Sequence, residues 1–524
     1  MTSSVAELVN DLASRGVHVY LTDGRLRFLA PKNALTAELR EQVAQFREEM
    51  VEFLREREAS ANRKSPILLA DRDRPLPLSF AQQRLWFLAQ LDPGSVEYNM
   101  PSAIPLPGDL DLPALCDALT ALIERHEVLR TRLVADADGV PHQIIDPPTG
   151  FDLPVVKVAD EQEARALIAA DATTPFDLAA GPLLRGKLIR LADDLHILAL
   201  CMHHVICDEW SAKIFQQELM ALYGAFRAGR TSPLKPLTVQ YADFAVWQRG
   251  WLTGQVLNEQ LTYWREQLAH PPVMELPTDR PRPPVRATAG AGISFRIEAE
   301  TARRLQELTR QSGGTMFMTL FAAFSALLGK YSAQNDVLVG TPVANRNQAD
   351  AEDLIGFFVN TLVLRTDLSG DPTFTELLAR VRTTALNAFT HQDLPFEQLV
   401  DELGVDRDRS RTPLFETLFN YTAEFDGVQI SENAALEQVA VKFDLVLSMV
   451  GAGDRDLAGS VQYSTALYDR STIERLVGHL RVLLDAVAAD PDLRLSALPV
   501  LTAAERRVLE GVNATGVVLP EVGG

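Results

Sequence analysis

A proline-rich break near the middle of the chain, HPPVMELPTDRPRPPV at residues 270–285, separates two stretches of similar size. In both stretches, residues 77–269 and 270–500, segments with helical spacing of apolar residues alternate with short strand-like segments. No short repeat period connects these segments. The alternation therefore predicts an α/β (α+β) fold made of two successive units.

A smaller unit precedes them at residues 1–58. Helical spacing over 5–13 and from residue 36 flanks two alternating segments around Asp23-Gly24, a dipeptide typical of two-residue hairpin turns. A unit of this size barely buries a core of its own, so it often serves as an interaction module as well. The polar, proline-bearing residues 59–76 are expected to be a linker. Residues 501–524 are turn-rich and weakly patterned, and we expect a linker towards another domain there.

The charge balance excludes some classes of partner. Lys and Arg number 50 against 70 Asp and Glu, for a net charge of −20, which disfavours phosphate backbones and anionic membranes. The 3 cysteines cannot build a disulfide scaffold. No apolar run is long enough for a membrane span, and the first residues lack the pattern of an export signal. We therefore expect a soluble, cytoplasmic protein without nucleic-acid or membrane partners.

The segment with the most reactive side chains is LHILALCMHHVICDEWSAKIFQQEL, residues 195–219. A hydrophobic strand delivers His203 and His204 into a loop, and a helix is predicted to start near Ser211, a favourable N-cap residue. A histidine at such a strand end can act as a general base. Asp208 is placed to orient the loop or the imidazole, and it precedes a helix N-terminus together with Glu209.

Structural interpretations of the same residues stay open. Histidines at strand ends often serve packing, and Asp208 and Glu209 are also ordinary helix-start acids. A metal site is disfavoured, because neighbouring strand residues face opposite sides and the spacing is not H-E-x-x-H. Neither a nucleophile-elbow G-x-S-x-G nor a Walker A loop is present, and the cysteines lack a Cys-His-Asn pattern.

HHVICDEW resembles the H-H-x-x-x-D-G motif of nonribosomal peptide synthetase condensation domains, within the chloramphenicol acetyltransferase-like superfamily. Six further segments resemble the family's other motifs, in the family's order: LSFAQQRLWFLAQLDPGS (78–95), RHEVLRTRL (125–133), YADFAVWQR (241–249), IGFFVNTLVLR (355–365), HQDLPFEQLV (391–400) and RTPLFETLFNY (411–421). The resemblance covers about residues 77–500. Residues 1–58 are similar to N-terminal docking domains of synthetase subunits, and residues 501–516 resemble the segment that leads into an adenylation domain.

The resemblance implies two acetyltransferase-like lobes in a V, with the histidine motif at their junction and a tunnel open to both faces. An upstream carrier protein presents an acyl or peptidyl thioester, and a downstream carrier presents an aminoacyl thioester whose amine attacks it. His204 would orient or deprotonate that amine, with His203 as the motif's first histidine. Asp208 would pair with an arginine of the other lobe, for which Arg346 is the candidate, and Asn360 would line the channel.

The same resemblance implies no metal and no cofactor bound by the chain itself, because the phosphopantetheine arms belong to the carrier proteins. Further implied partners are the adenylation domain and the C-terminal tail of an upstream synthase subunit. We expect that tail to add along the hairpin of residues 1–58.

The chain departs from the family motif at Glu209, where the family has glycine. One interpretation is neutral change, with the carboxylate turned outwards. The other is altered chemistry, in which Glu209 helps to dehydrate a Ser or Thr residue of the donor. Two other functions stay open: a non-catalytic platform that recruits carrier proteins, and a freestanding acyltransferase that uses acyl-CoA.

Overall fold

The computed structural model describes residues 18–22, 25–29, 51, 65–405, 408–422, 439–451 and 457–513, with the backbone alone at 18–22, 25–29 and 439. The chain divides into two compact units, residues 1–68 and 69–524. In the first unit, β1 (His18–Thr22) and β2 (Arg25–Leu29) form the predicted antiparallel hairpin, with Thr22 opposite Arg25. The two helices predicted over 5–13 and from residue 36 lie outside the described residues.

The first half of the second unit, which we call the N-lobe, contains a four-stranded and a three-stranded sheet. Its strands are β3 (Leu76–Pro77), β4 (Asn99–Pro107), β5 (Thr131–Ala135), β6 (Pro141–Ile145), β7 (Val155–Lys157), β8 (Leu184–Ala192) and β9 (Leu195–His203). Its helices are α1 (Phe80–Leu91), α2 (Leu112–Arg125), α3 (Glu161–Ala172), α4 (Glu209–Arg227), α5 (Tyr241–Trp251) and α6 (Gly254–Gln267). The strand orders are β4-β9-β8-β7 and β3-β6-β5.

The second half, the C-lobe, is built on one seven-stranded sheet. Its strands are β10 (Ala289–Ile297), β11 (Asp336–Val343), β12 (Asn360–Asp367), β13 (Thr417–Thr422), β14 (Val439–Ala440), β15 (Leu445–Val450) and β16 (Leu457–Ser464). Its helices are α7 (Ala299–Gln311), α8 (Met316–Ser332), α9 (Ala349–Glu352), α10 (Phe374–Thr390), α11 (Phe396–Leu403), α12 (Arg470–Ala489) and α13 (Ala503–Asn513). The order is β12-β11-β13-β15-β16-β10-β14, with β13 parallel to both neighbours. The predicted mixed α/β class is confirmed.

The C-lobe core explains why these helices form where they do. Every residue of α8 from Met318 to Gly329 is buried, so its continuous apolar sequence is that of a helix surrounded by protein. In contrast, α12 buries a stripe at 473, 476, 477, 480, 483 and 484, the spacing of a helix with one solvated face.

Two predicted element boundaries are wrong. Ser211 does not begin α4: the helix starts at Glu209 and is capped by Asp208, whose carboxylate accepts the Ser211 N–H at 2.8 Å. The segment expected to be turn-rich after residue 501 contains α13. The carboxylate of Glu505, in the first turn of this helix, accepts hydrogen bonds from the N–H and the hydroxyl of Thr502, which precedes it.

Among the helices that the structure describes, none is by itself long and apolar enough to cross a bilayer. Only α7 and α8 taken together reach that length, and they bend by 107° at the break between them.

Candidate active site

The histidine pair lies where the buried strand β9 ends. His203 is the last strand residue and pairs with Asn99 of β4, after which the chain turns through one 3₁₀ turn, His204–Ile206. The His204 N–H donates to the Tyr98 carbonyl at 2.8 Å. The paired edge of the sheet therefore holds the loop that carries His204.

The side chain of His204 has its free nitrogen available as a base. Its Nδ1 lies 2.7 Å from the Cys207 carbonyl, which can only accept, so the proton is on Nδ1 and the lone pair is on Nε2. Desolvation by burial, followed by the charge of Lys442, lowers the pKa of His204 to about 4. The residue nevertheless keeps some accessible surface. A neutral imidazole that is desolvated yet accessible suits proton transfer.

His203 has a different environment. Its Nδ1 accepts the Val205 N–H at 3.2 Å, and its ring meets Phe176 edge-on, with the centroids 5.9 Å apart. Burial, together with the neighbouring His204 and Lys442, lowers the pKa of His203 to about 3. These contacts make His203 a part of the loop's scaffold.

Asp208 is buried and joins the two lobes. Besides capping α4, its Oδ1 lies 3.3 Å from Nη2 of Arg346, and its Oδ2 accepts the Phe358 N–H at 3.0 Å. Both Arg346 and Phe358 belong to the C-lobe. The aspartate of the histidine motif therefore binds the opposite lobe and makes no direct contact with the imidazole among the hydrogen bonds of the described residues.

The Asp208–Arg346 pair expected from the sequence is present, but it is not bidentate. Nη1 of Arg346 donates to the carbonyls of Ala351 and Leu354 at 2.6 Å each, and Nη2 donates to Ser211 Oγ at 2.6 Å. The guanidinium also lies 4.0 Å above the Phe358 ring. Arg346 thus distributes its donors over both lobes.

Ser211 and Tyr241 hold the C-lobe segment 356–358 against the N-lobe. Ser211 Oγ donates to the Gly356 carbonyl at 2.8 Å and accepts its N–H at 3.0 Å, while Tyr241 donates to the Phe357 carbonyl at 2.6 Å. A Cβ on Gly356 would lie 2.0 Å from Tyr241 Cδ2, so glycine is required there. The segment places the Phe357 ring 4.7 Å from the His204 ring.

Asn360, expected to line the channel, has its side-chain amide held by backbone groups. Its Nδ2 donates to the carbonyls of Gln392 and Leu394 at 2.8 and 2.7 Å, and its Oδ1 accepts the N–H groups of Thr361 and Phe396. All four hydrogen-bonding positions of the amide are used. Asn360 therefore anchors the connection into α11.

Glu209 is the first residue of α4, and 68% of its side chain is exposed. Its carboxylate lies 3.9 Å from Lys213 Nζ, one helical turn further on. The carboxylate is thus solvent-facing and close to a cation.

Sequence reasoning missed a group of charged residues beside the histidines. Lys442 Nζ lies 4.0 Å above the ring of Tyr98, whose centroid is 6.5 Å from that of His204. Lys442 precedes β15 in an unremarkable segment, VKFDL, and nothing in its spacing connects it to the histidines. Only the packing of the two lobes brings them together.

Two ion pairs between the lobes flank this region. Arg84 of α1 binds Glu397 of α11 at 2.8 Å, and Arg286 binds Glu97 at 3.1 Å. Within the described part of the chain, no three His, Cys, Asp or Glu side chains are grouped so that they could hold a metal ion. The site is thus a neutral base surrounded by fixed charges and aromatic rings.

Comparisons with known proteins agree on one family. The condensation-domain pattern matches residues 73–510, and the TubC N-terminal docking domain pattern matches residues 5–56. Malpinin synthetase of Mortierella alpina is 42% identical over 521 residues, which are 97% of this chain and 6% of that protein. Phosphinothricin tripeptide synthetase PhsC of Streptomyces viridochromogenes is 45% identical over 462 residues, 85% of this chain and 42% of that protein.

Among solved structures, the X-domain in complex with OxyB from teicoplanin biosynthesis superposes with a TM-score of 0.75 at 31% identity. The match covers 84% of this chain and 99% of the X-domain chain. The chain thus spans nearly all of a separate domain but less than half of either synthetase.

Proposed function

The chain belongs to the condensation-domain family and carries a TubC-type docking domain, and from this membership we propose that it forms amide bonds in nonribosomal peptide synthesis. The substrates are a donor acyl or peptidyl thioester and an acceptor aminoacyl thioester, each on the phosphopantetheine arm of a carrier protein. The observation that carries the proposal is the state of His204, a neutral residue that keeps some accessible surface and whose Nδ1–H faces the Cys207 carbonyl, which leaves the lone pair on Nε2.

The reaction needs one proton acceptor at the point where the two substrates meet. The acceptor amine attacks the thioester carbonyl carbon, which forms the C–N bond and moves the π electron pair to oxygen. His204 Nε2 takes the proton from the amine. The C=O bond then re-forms, the C–S bond breaks, and the leaving thiolate receives that proton, which frees the donor arm as a thiol.

Conversion of a thioester to an amide is downhill, so most of the catalytic task is alignment. Holding two tethered reactants in attacking geometry lowers the barrier by about 7–11 kcal/mol. The inter-lobe contacts of Asp208 and Arg346 support this part of the proposal, because they set the distance between the histidine loop and the C-lobe. A cytoplasmic location and the domain boundaries at 59, 77, 270 and 501 stay predictions.

The proposal is tested by reconstitution with carrier proteins. One carrier is loaded with N-acetyl-L-alanine as donor, and a second is loaded in turn with each of the twenty amino acids; intact-protein mass spectrometry then follows transfer. We expect N-acetyl-L-alanyl transfer to at least one acceptor, and a loss of about 10²–10⁴-fold in rate for His204→Ala. His142→Ala, a histidine of β6, is the matched control. Failure with every acceptor, or an unaffected His204→Ala variant, would contradict the proposal.

Glu209 motivates a second activity, the dehydration of a seryl or threonyl donor. Its carboxylate would remove the α-proton, the Cα–H electron pair would form the Cα=Cβ bond as the Cβ–O bond breaks, and the same carboxylic acid would pass that proton to the departing hydroxyl, which yields water and a dehydroamino acid. In the same assay with a seryl donor, loss of one water in the wild type but not in Glu209→Gln supports this activity. Amide formation without water loss rejects it.

One alternative is a platform that binds carriers without catalysis, and the similar X-domain, whose structure is a complex with another protein, OxyB, is the observation that favours a binding role. Stable carrier binding without any transfer would support it. Turnover with a soluble acyl-CoA in place of the donor carrier would instead support a freestanding acyltransferase.

A further inference from the structure

Lys442 carries a positive charge without a carboxylate partner. In the part of the chain that the structure describes, no Asp or Glu lies within ion-pair distance of its ammonium, which rests 4.0 Å above the Tyr98 ring. The side chain keeps some accessible surface, although burial lowers the pKa of Lys442 to about 8. A desolvated ammonium is costly unless something negative meets it, and an aromatic ring offsets only part of that cost.

The charged residues next to Lys442 are paired with one another and not with Lys442. Arg84 is paired with Glu397 and Arg286 with Glu97, so the two arginines and two glutamates around Lys442 contribute no net charge. The carboxylate of Glu97 favours the charged form of Lys442, whereas both arginines oppose it. Of these five charged residues, Lys442 is therefore the one without an ion-pair partner in the described part of the chain.

Tyr98 lies between the Lys442 ammonium and the loop that carries the two histidines. Its ring centroid lies 6.4 Å from that of His203 and 6.5 Å from that of His204, and its carbonyl accepts the His204 N–H. The charge of Lys442 contributes to the lowered pKa of both histidines. Asp208, the acidic residue nearest to the two histidines in sequence, already forms an ion pair with Arg346. Lys442 thus acts electrostatically on the two histidines of the motif.

We propose that Lys442 is the electrostatic partner of His204, whose ammonium stabilises the anionic tetrahedral intermediate of amide formation. This inference rests on the proposed function. Lys442 keeps its proton throughout the reaction. The thioester oxygen becomes negatively charged when the tetrahedral intermediate forms and loses that charge when the C=O bond re-forms. An ammonium acting in a low-dielectric site is worth far more than in water.

The test measures single-turnover amide formation at saturating carriers from pH 6 to 9.5, with the best acceptor found by the reconstitution assay. We expect Lys442→Met to slow the chemical step about 10–100-fold with an unchanged KM for either carrier. Lys442→Arg should retain the rate within about fivefold. The control is Lys157→Met, at an exposed lysine of β7, which should match the wild type.

The pH profile separates this role from a structural one. Since the pKa of Lys442 is about 8, the wild-type rate should fall above pH 8 as the ammonium is lost, and Lys442→Arg should abolish that fall. Equal losses in the Met and Arg variants, or a Met variant as fast as the wild type, would overturn the inference alone. A wild type that forms no amide would overturn the proposed function with it.

Discussion

The two histidines differ in role although they are adjacent in sequence. A carbonyl fixes the tautomer of His204 and leaves Nε2 free, whereas His203 spends its Nδ1 on the Val205 N–H. Each ring is nonetheless held neutral by burial. The neutral state has a consequence for stability as well as for chemistry.

Acid should destabilise the protein through these two rings. Their pKa values are about 3 and 4 in the folded state against 6.5 in the unfolded chain, so between pH 6.5 and 4 only the unfolded chain takes up these protons. Stability therefore falls with pH through this window, by about 2 kcal/mol per histidine at pH 5. Urea unfolding at pH 7.5 and 5.0 measures it. His203→Gln should lose about 2 kcal/mol less between the two pH values, and an identical loss would refute the prediction.

Removing the charge of Asp208 should strongly destabilise the lobe contact. Asp208→Asn leaves Arg346 buried without its counter-charge, which costs about 3–5 kcal/mol. Asp193→Asn is the matched control, because its pair with Arg190 is solvent-exposed and worth at most about 1 kcal/mol. Chemical unfolding of both variants measures the difference. Equal losses in the free energy of unfolding would mean that the buried ion pair stabilises the fold no more than the exposed one.

The sequence identified some site residues and not others, for physical reasons. Arg346 could be inferred because the family resemblance implies that the motif aspartate pairs with an arginine of the other lobe. For Asn360, the sequence does not show that four backbone groups use all the hydrogen-bonding positions of its amide, and its place in the channel stays a prediction. Lys442 was missed because its relation to His204 exists only through tertiary packing.

At the scale of elements, the segment 356–358 packs against the N-lobe on one side and contacts His204 on the other. Gly356→Ala places a Cβ against Tyr241, a buried ring whose hydroxyl is hydrogen-bonded to Phe357 and Ser79. We expect a loss of about 1–3 kcal/mol and slower amide formation, because Phe357 contacts His204.

Gly250→Ala serves as the comparison for this change. Gly250 lies in α5 with nothing within 4 Å of an added Cβ, so the variant should be neutral or up to about 1 kcal/mol more stable. Thermal unfolding and the reconstitution assay measure both variants. A Gly356→Ala variant that behaves like Gly250→Ala would contradict the role given to the segment.

Element boundaries show where sequence patterns suffice. The hairpin predicted around Asp23-Gly24 is observed, with Thr22 opposite Arg25, since that dipeptide suits a two-residue turn. The start of α4 was misplaced by three residues because Asp208 and Ser211 are both good caps, and only the contact with Arg346 distinguishes them. Helix α13 buries none of its residues, although Val508, Leu509 and Val512 have the spacing of an apolar helix face; sequence reasoning overlooked that spacing.

At the scale of the whole molecule, the proposed function assigns recruitment to the docking unit and chemistry to the condensation unit. We expect deletion of residues 1–58 to slow transfer about tenfold from an upstream subunit's carrier supplied near 1 μM, because the local concentration of donor is lost. Saturating donor carrier should restore the full rate, which also shows that the remaining unit folds. An unchanged rate at the low concentration would reject the docking role.

One carboxylate, that of Asp208, both starts the helix behind the histidine loop and holds a guanidinium of the other lobe. The start of that helix and the contact between the lobes therefore depend on the same two oxygen atoms. A change that removes this carboxylate should loosen both at once, so neither can drift without the other.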